Sequence, residues 1–288
     1  MLADLDLLLT AVFCTADDLL PEKAKNARRS VTDAEVVTLC VAQAIMGISS
    51  DDRFLRLARR ALKDLFPKLP KQPGYHKRRG RLTETIEWLI GVFASQSPGY
   101  HDDLVLIDST PVECARSVET VRRSALSDAA GYGYCRSHSR WFYGFRLHLV
   151  AAPDGTPRAA ILAGADQPER EIALTLLPRA LHGGELVIAD KGYAGKDFEA
   201  AVGQLGAQLL RPARKNEPDN GLHLSGIRQR IESIFWTCKD LLTLERHGAR
   251  TLHHLRARIA SRLLALAAGV WLNHQLDRPT RSLIAYTA

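Results

Sequence analysis

The sequence predicts an α/β protein in which an all-helical N-terminal domain precedes a domain built on a mixed β-sheet. Two observations carry this expectation. Up to about residue 95 the apolar residues recur at helical spacing, whereas from residue 104 short β-branched runs alternate with helical stretches. Between them, "SQSPGYHDD" (95–103) breaks both patterns. The predicted domains are therefore residues 1–100 and 101–288.

In the N-terminal part, "TDAEVVTLCVAQAIMG" (32–47) opens with a capping box, Thr32 with Glu35, and closes at Gly47, a natural helix stop. "SSDDRFLRLARRALKDLF" (49–66) starts a second helix behind a Ser/Asp cap. The short "GIS" joint makes the two a helix-turn-helix-like pair, a pattern shared with plain αα-hairpins. "PKLPKQPGYHKRRGR" (67–81) holds six Lys or Arg, three prolines and no acid. Such a run is expected to track phosphates and not to pack, with Lys77, Arg78 and Arg79 as DNA contacts; a solvated loop has the same composition. A further helix is expected over 83–95.

The second domain begins with "LVLIDSTPV" (104–112), a strand buried on both faces. "WFYGFRLHLVAA" (141–152) and "RAAILAGA" (158–165), joined by "PDGTP", read as a hairpin. A helix over 169–182, a buried strand in "ELVIADKGY" (185–193), a helix over 196–205 and a strand in "AQLLRPAR" (207–214) follow. Helices over about 225–242 and 251–275 complete the chain. This order describes a ribonuclease-H-like mixed sheet better than a doubly wound one. Right-handed crossover lays strand 185–190 parallel to 104–108.

Both central strands end in an aspartate, Asp108 in "LIDS" and Asp190 in "IADK". Parallel neighbours would place the two side by side at the carboxyl end of the sheet, where open α/β sheets bind ligands. Carboxylates that close repel, and a shared divalent cation relieves the repulsion. In "RQRIESIFWTCKD" (228–240), Arg228, Glu232 and Lys239 fall along one helix face beside an apolar stripe of Ile227, Ile231, Ile234, Cys238 and Leu241. Glu232 is thus expected beside the buried face as a third carboxylate, while Trp236 is expected in the core. Oxygen ligands of this kind suit Mg²⁺, with Mn²⁺ as a substitute and two ions per site. Singly, each acid also reads as a turn cap or an ion-pair partner.

The helix with Arg, three residues, Glu, six residues and Lys resembles the C-terminal signature of bacterial insertion-sequence DDE transposases. "LIDSTPVECAR", "WFYGFRLHL" and "IADKGYAG" are similar to the blocks around their first acid, middle strand and second acid. "TDAEVVTLCVAQAIMGISSDDRFLRLA" and "LFPKLPKQPGYHKR" resemble more narrowly the insertion-sequence family numbered nine-eighty-two. The resemblance implies a catalytic, metal-holding triad of Asp108, Asp190 and Glu232, with Arg228 and Lys239 contacting DNA near the cleaved end. It implies a metal-dependent enzyme that cuts double-stranded DNA at transposon ends and joins it to a target, acting as a homodimer. The signature's usual Tyr is Ser225 here, which implies loss of a local DNA contact but not of chemistry.

The net charge of +7 suits a nucleic-acid partner. In the long linker 113–140, Arg116, Arg122, Arg123, Arg136 and Arg140 with Tyr132 and Tyr134 suit a DNA-facing insertion, or equally a solvated loop. Lys191, beside the second aspartate, joins the candidate DNA contacts; His138 and His148 read as structural or phosphate-facing. Five scattered cysteines without metal spacing point to reduced thiols in a cytoplasmic protein. Asp4 and Asp6 in the leading segment argue against a signal peptide, and "LLALAAGVWLN" (263–273) is too short to span a membrane. Two other functions remain open on the sequence alone: a nuclease or junction resolvase that cuts without joining, and a domesticated, catalytically silent DNA-binding protein.

Overall fold

In the computed structural model the elements run, in chain order, α1 (Leu2–Leu19), α2 (Asp33–Ile45), α3 (Asp51–Ala61), α4 (Gln72–Arg81), α5 (Thr83–Ser95), β1 (Leu104–Ala115), α6 (Val118–Arg122), β2 (Gly131–Cys135), β3 (Arg140–Ala151), β4 (Pro157–Gly164), α7 (Glu169–Leu176), β5 (Leu186–Ile188), α8 (Lys196–Gln204), β6 (Gln208–Leu210), α9 (Ser225–Lys239) and α10 (Leu252–Gln275). The structure describes all residues except 1, 22–29, 116–117, 123, 136–138, 219–220, 222 and 288. Two compact units result: residues 1–93 with 237–288, and residues 94–236.

The helical unit departs from the expected boundary, because the C-terminal segment packs with the N-terminal helices. α10 is rich in Leu and Ala and is buried on nearly all sides, as a central helix must be. It packs against α1, α2 and α4. Its start is set by Thr251, whose hydroxyl accepts from the His254 N–H at 3.4 Å. At α2 the capping box forms as expected, with the Thr32 hydroxyl accepting from the Glu35 N–H at 3.1 Å and the Glu35 carboxylate accepting from the Thr32 N–H. Gly47 ends the helix at φ +63, and Ser50 caps α3.

The basic run 67–81 is where expectation and structure differ most. Instead of an extended, solvated strip it contains α4, with Pro73 in its first turn. Tyr75 and Arg79, one turn apart, point inward and are 0% and 1% exposed. Arg79 donates to both Asp51 oxygens at 3.0 Å and to Gln43 Oε1 at 2.9 Å, and its guanidinium lies 5.2 Å from the Tyr75 ring centre. Burial alone would raise the Asp51 pKa, but the bonds and charge of Arg79, with Arg258, hold it well below the usual carboxylate range. Arg78 is half-buried and bonds the Val31 carbonyl at 2.7 Å and Asp33. Arg79, and in large part Arg78, therefore hold the helical unit together and are not free DNA contacts. Lys77 is exposed.

In the sheet unit, strand order is β2-β3-β1-β5-β6, with β4 also paired to β3. β1 takes one edge of β3 from Ala151 to Tyr143, so β2 and β4 follow one another along the opposite edge. β1, β3 and β4 are antiparallel, and β5 and β6 continue parallel to β1, as expected. Setting β2 aside, this is the mixed sheet of a ribonuclease-H-like domain. Val105, Ile107, Val150, Val187 and Ala189 form one face, packed under Ala173 and Leu176 of α7 and Phe198 and Val202 of α8. The linker 113–140 contains the end of β1, α6 and β2, and is not a loop throughout. Among the described residues no helix is long and apolar enough to cross a membrane, and none of the five cysteines forms a disulfide.

Candidate active site

Side chains alternate along β1, so Asp108 stands on the face opposite Ile107 and its hydrophobic layer. Leu104, Val105 and Leu106 pair with Leu186, Val187 and Ile188 of β5. Continuing that register two residues brings Asp108 level with Asp190 on the same face. Both are half-buried. The parallel crossover thus places the two aspartates as neighbours. Asp108 is not at the end of its strand as expected: β1 runs on to Ala115 because β3 continues to pair with it. Only Asp190 follows the end of its strand, β5.

Each aspartate is steered by main-chain donors. Asp108 Oδ1 accepts from the Ser109 N–H at 2.8 Å. Asp190 caps the short 3-10 turn over Lys191–Tyr193, with Oδ1 accepting from the Gly192 N–H at 2.7 Å. A Cβ at residue 192 would stand 2.8 Å from that oxygen, so glycine is what allows the approach. The turn is clamped from outside by Arg214 and Arg170, which both donate to the Ala194 carbonyl, at 3.1 and 3.0 Å.

The Asp108 carboxyl is pushed up to about 7. Burial is the largest cause; the charges of Asp190 and Glu169 add to it, against the Ser109 bond and the Arg228 charge. Tyr193 is 0% exposed, and its hydroxyl has no partner among the described residues. Burial and the charges of Glu169, Asp108 and Asp190 push its pKa well above the ordinary phenol value. Negative charge therefore accumulates here, offset among the described residues only in part by Arg228 and Arg146. Arg228, on α9, supplies some of that compensation.

Glu169 went unnoticed in the sequence. At the start of α7 it accepts from the Ser109 hydroxyl at 2.7 Å and from Arg146 at 3.0 Å. Arg146 also holds the Tyr134 carbonyl at 2.8 Å and lies over the Phe142 ring at 5.6 Å. The only local hint was an acid in a helix first turn, which is ordinarily a dipole effect. His148, paired across from Ser109, is 0% exposed, and neither ring nitrogen has a partner among the described residues. Burial and the Arg146 charge lower its pKa to about 4, so it is a neutral interior residue and not a phosphate contact.

Glu232 differs from expectation. Ile231, Ile234, Phe235 and Cys238 are buried, but Glu232 is exposed, not set beside the buried face, and Trp236 is 58% exposed, not in the core. Among the described residues no three His, Cys, Asp or Glu side chains are grouped to hold one ion. Asp108 and Asp190 form a hard-oxygen pair whose mutual repulsion fits a divalent cation; the third carboxylate is not gathered with them. Lys239 pairs with Glu245 at 3.3 Å, and Lys191 and Ser225 are exposed. Arg116, Arg123, Arg136 and His138 lie outside the described residues. Arg140 pairs with Glu113 at 3.0 Å, and Tyr132, Tyr134 and Trp141 are exposed.

A family model for the transposase DDE domain matches residues 99–268. Comparison with curated proteins and with solved structures gave no match. The match takes in both aspartates, the whole sheet and the Arg-Glu-Lys helix, more than half of the 288 residues, and on that extent the chain belongs to the DDE transposases.

Proposed function

We propose that this transposase cleaves double-stranded DNA at transposon ends and joins the freed ends to target DNA, using Asp108, Asp190 and Glu232 to hold Mg²⁺ or, in its place, Mn²⁺. The observation that carries the reading is the Asp108–Asp190 pair, level along neighbouring parallel strands and compensated only in part by the Arg228 charge. Support for Glu232 comes from Arg228, one turn earlier on the same face, whose charge is felt at Asp108. When bound, two divalent ions would favour attack at phosphorus and stabilise the departing oxygen. The protein's share is positioning. Asp108 and Asp190 are aimed by the Ser109 and Gly192 N–H groups, and Arg228 offers a planar grip to a phosphate. Water attack at the scissile phosphodiester frees a 3′-hydroxyl. That hydroxyl then attacks a target phosphodiester, forming one bond as another breaks.

Within the DDE transposases we assign the enzyme to the insertion-sequence family numbered nine-eighty-two, on the resemblance of its N-terminal stretches. Two ends must be handled together, which favours a homodimer on DNA. The basic charge and free thiols suit a cytoplasmic protein. Exposed Lys77 and Lys191, with Arg228 and Lys239, are the proposed DNA contacts among the described residues.

The direct test incubates the full chain with labelled candidate end DNA, target DNA and Mg²⁺. Joined product is expected. Cleavage without joining would make the protein a nuclease, and neither product would favour a silent DNA-binding protein. Lys239→Ala removes a partly exposed pair with Glu245, so it should cost less than about 1 kcal/mol of stability while lowering end cleavage. Arg228→Lys keeps charge but loses the two-pronged phosphate grip, and should lower strand transfer about tenfold or more. Wild-type strand transfer by both variants would remove these cations from the DNA-contacting set.

A further inference from the structure

Three arginines lie inside the helical unit: Arg79 is 1% exposed, Arg258 6% and Arg262 5%. Asp51 is the only buried carboxylate among the described residues of that unit. Arg79 and Arg258 both bind it, at 3.0 and 2.8 Å. Arg262 instead donates to the Arg258 carbonyl at 2.9 Å and to the Thr243 carbonyl and hydroxyl at 3.2 Å. Two guanidinium charges thus bind the one buried carboxylate, and the buried Arg262 guanidinium binds only neutral oxygens. Burial first, and then the charges of Arg258 and Arg79, lower the Arg262 pKa to about 9. Buried charges ordinarily persist only when paired.

A second observation concerns hydrogen bonds. The Nε–H groups of Arg79, Arg258 and Arg262 all lack a partner among the described residues. The same three side chains line one small, partly open cavity of about 10 Å³, together with Cys40, Gln43 and Ser261. That space admits about one small particle. A water molecule would satisfy donors but leave the charge excess unchanged. A spherical anion answers both demands, since it accepts several N–H bonds without a preferred direction.

We propose that this cavity is a binding site for a single monatomic anion, chloride in the cell. It stabilises the docking of α10 on α2 and α4, because the three arginines come from α4 and α10. The site is separate from the carboxylate pair and does not depend on the transposase chemistry.

The test compares melting of the full chain in sodium chloride, sodium bromide and sodium gluconate at matched ionic strength. Chloride and bromide should raise the melting temperature by about 5 °C over gluconate, saturably. Arg262→Met should abolish that difference. Equal melting in the three salts would overturn the proposal, as would an undiminished halide effect in Arg262→Met. Should Arg262→Met fail to fold, crystals of the wild-type chain grown in bromide decide: an anomalous peak within the cavity supports the site, and its absence refutes it.

Discussion

Asp108→Asn is expected to abolish end cleavage and, in metal-free buffer at pH 8, to make the protein more stable than the wild type. The two effects share one cause. Asp108 ionises in the folded chain only near pH 7, against an ordinary aspartate value near ~3.9. Below about pH 4 the carboxyl is protonated in both folded and unfolded chains, so it contributes no difference. Between about pH 4 and 7 the unfolded chain gives up the proton while the folded chain keeps it, and stability falls as pH rises. Above that range the wild type carries the full penalty of an ionised group beside Asp190 and Glu169.

Asparagine removes the charge, keeps the shape and still accepts from the Ser109 N–H. With allowance for partial exposure, the gain should be about 2 kcal/mol at pH 8. It should vanish at pH 4. Melting curves of both proteins at the two pH values, with and without Mg²⁺, check this. Mg²⁺ should raise the melting temperature of the wild type and much less that of the variant. A variant that melts below the wild type at pH 8, or that still cleaves, would remove Asp108 from the metal-holding role.

Arg79→Ala should be the most destabilising of the basic-to-alanine changes in α4. It deletes two bonds to Asp51 and one to Gln43, removes the cation above the Tyr75 ring, and leaves a void in the helical unit. Breaking a buried ion pair by removing one partner costs about 3–5 kcal/mol. Arg258 remains on Asp51, so the lower end applies, and the melting temperature should fall by about 10 °C. Lys77→Ala, at an exposed position, should leave melting unchanged and reduce the salt dependence of DNA binding. If Arg79→Ala instead melted as the wild type and flattened the salt dependence, the arginine would be a DNA contact after all.

The parts of this protein legible in the sequence are those with local causes. Short apolar, β-branched runs located the strand that carries Asp108 and the one that leads into Asp190, and the parallel crossover followed from handedness. Thr32 and Glu35 announced a helix start because a capping box lies within one turn. What tertiary structure decided has partners far apart in the chain. Arg79 looked like a solvated cation because its carboxylate, Asp51, is 28 residues away and its neighbour Arg258 more distant still. Glu169 joined the site only through Ser109, 60 residues earlier, and through Arg146 across the sheet. The C-terminal helix left its expected domain because a helix whose Leu- and Ala-rich stretch is apolar on nearly all sides must be enclosed, and α1, α2 and α4 offered the surface. Periodicity says which residues avoid water. Where a charge finds its counter-charge depends on which elements meet, and only the folded chain brings them together.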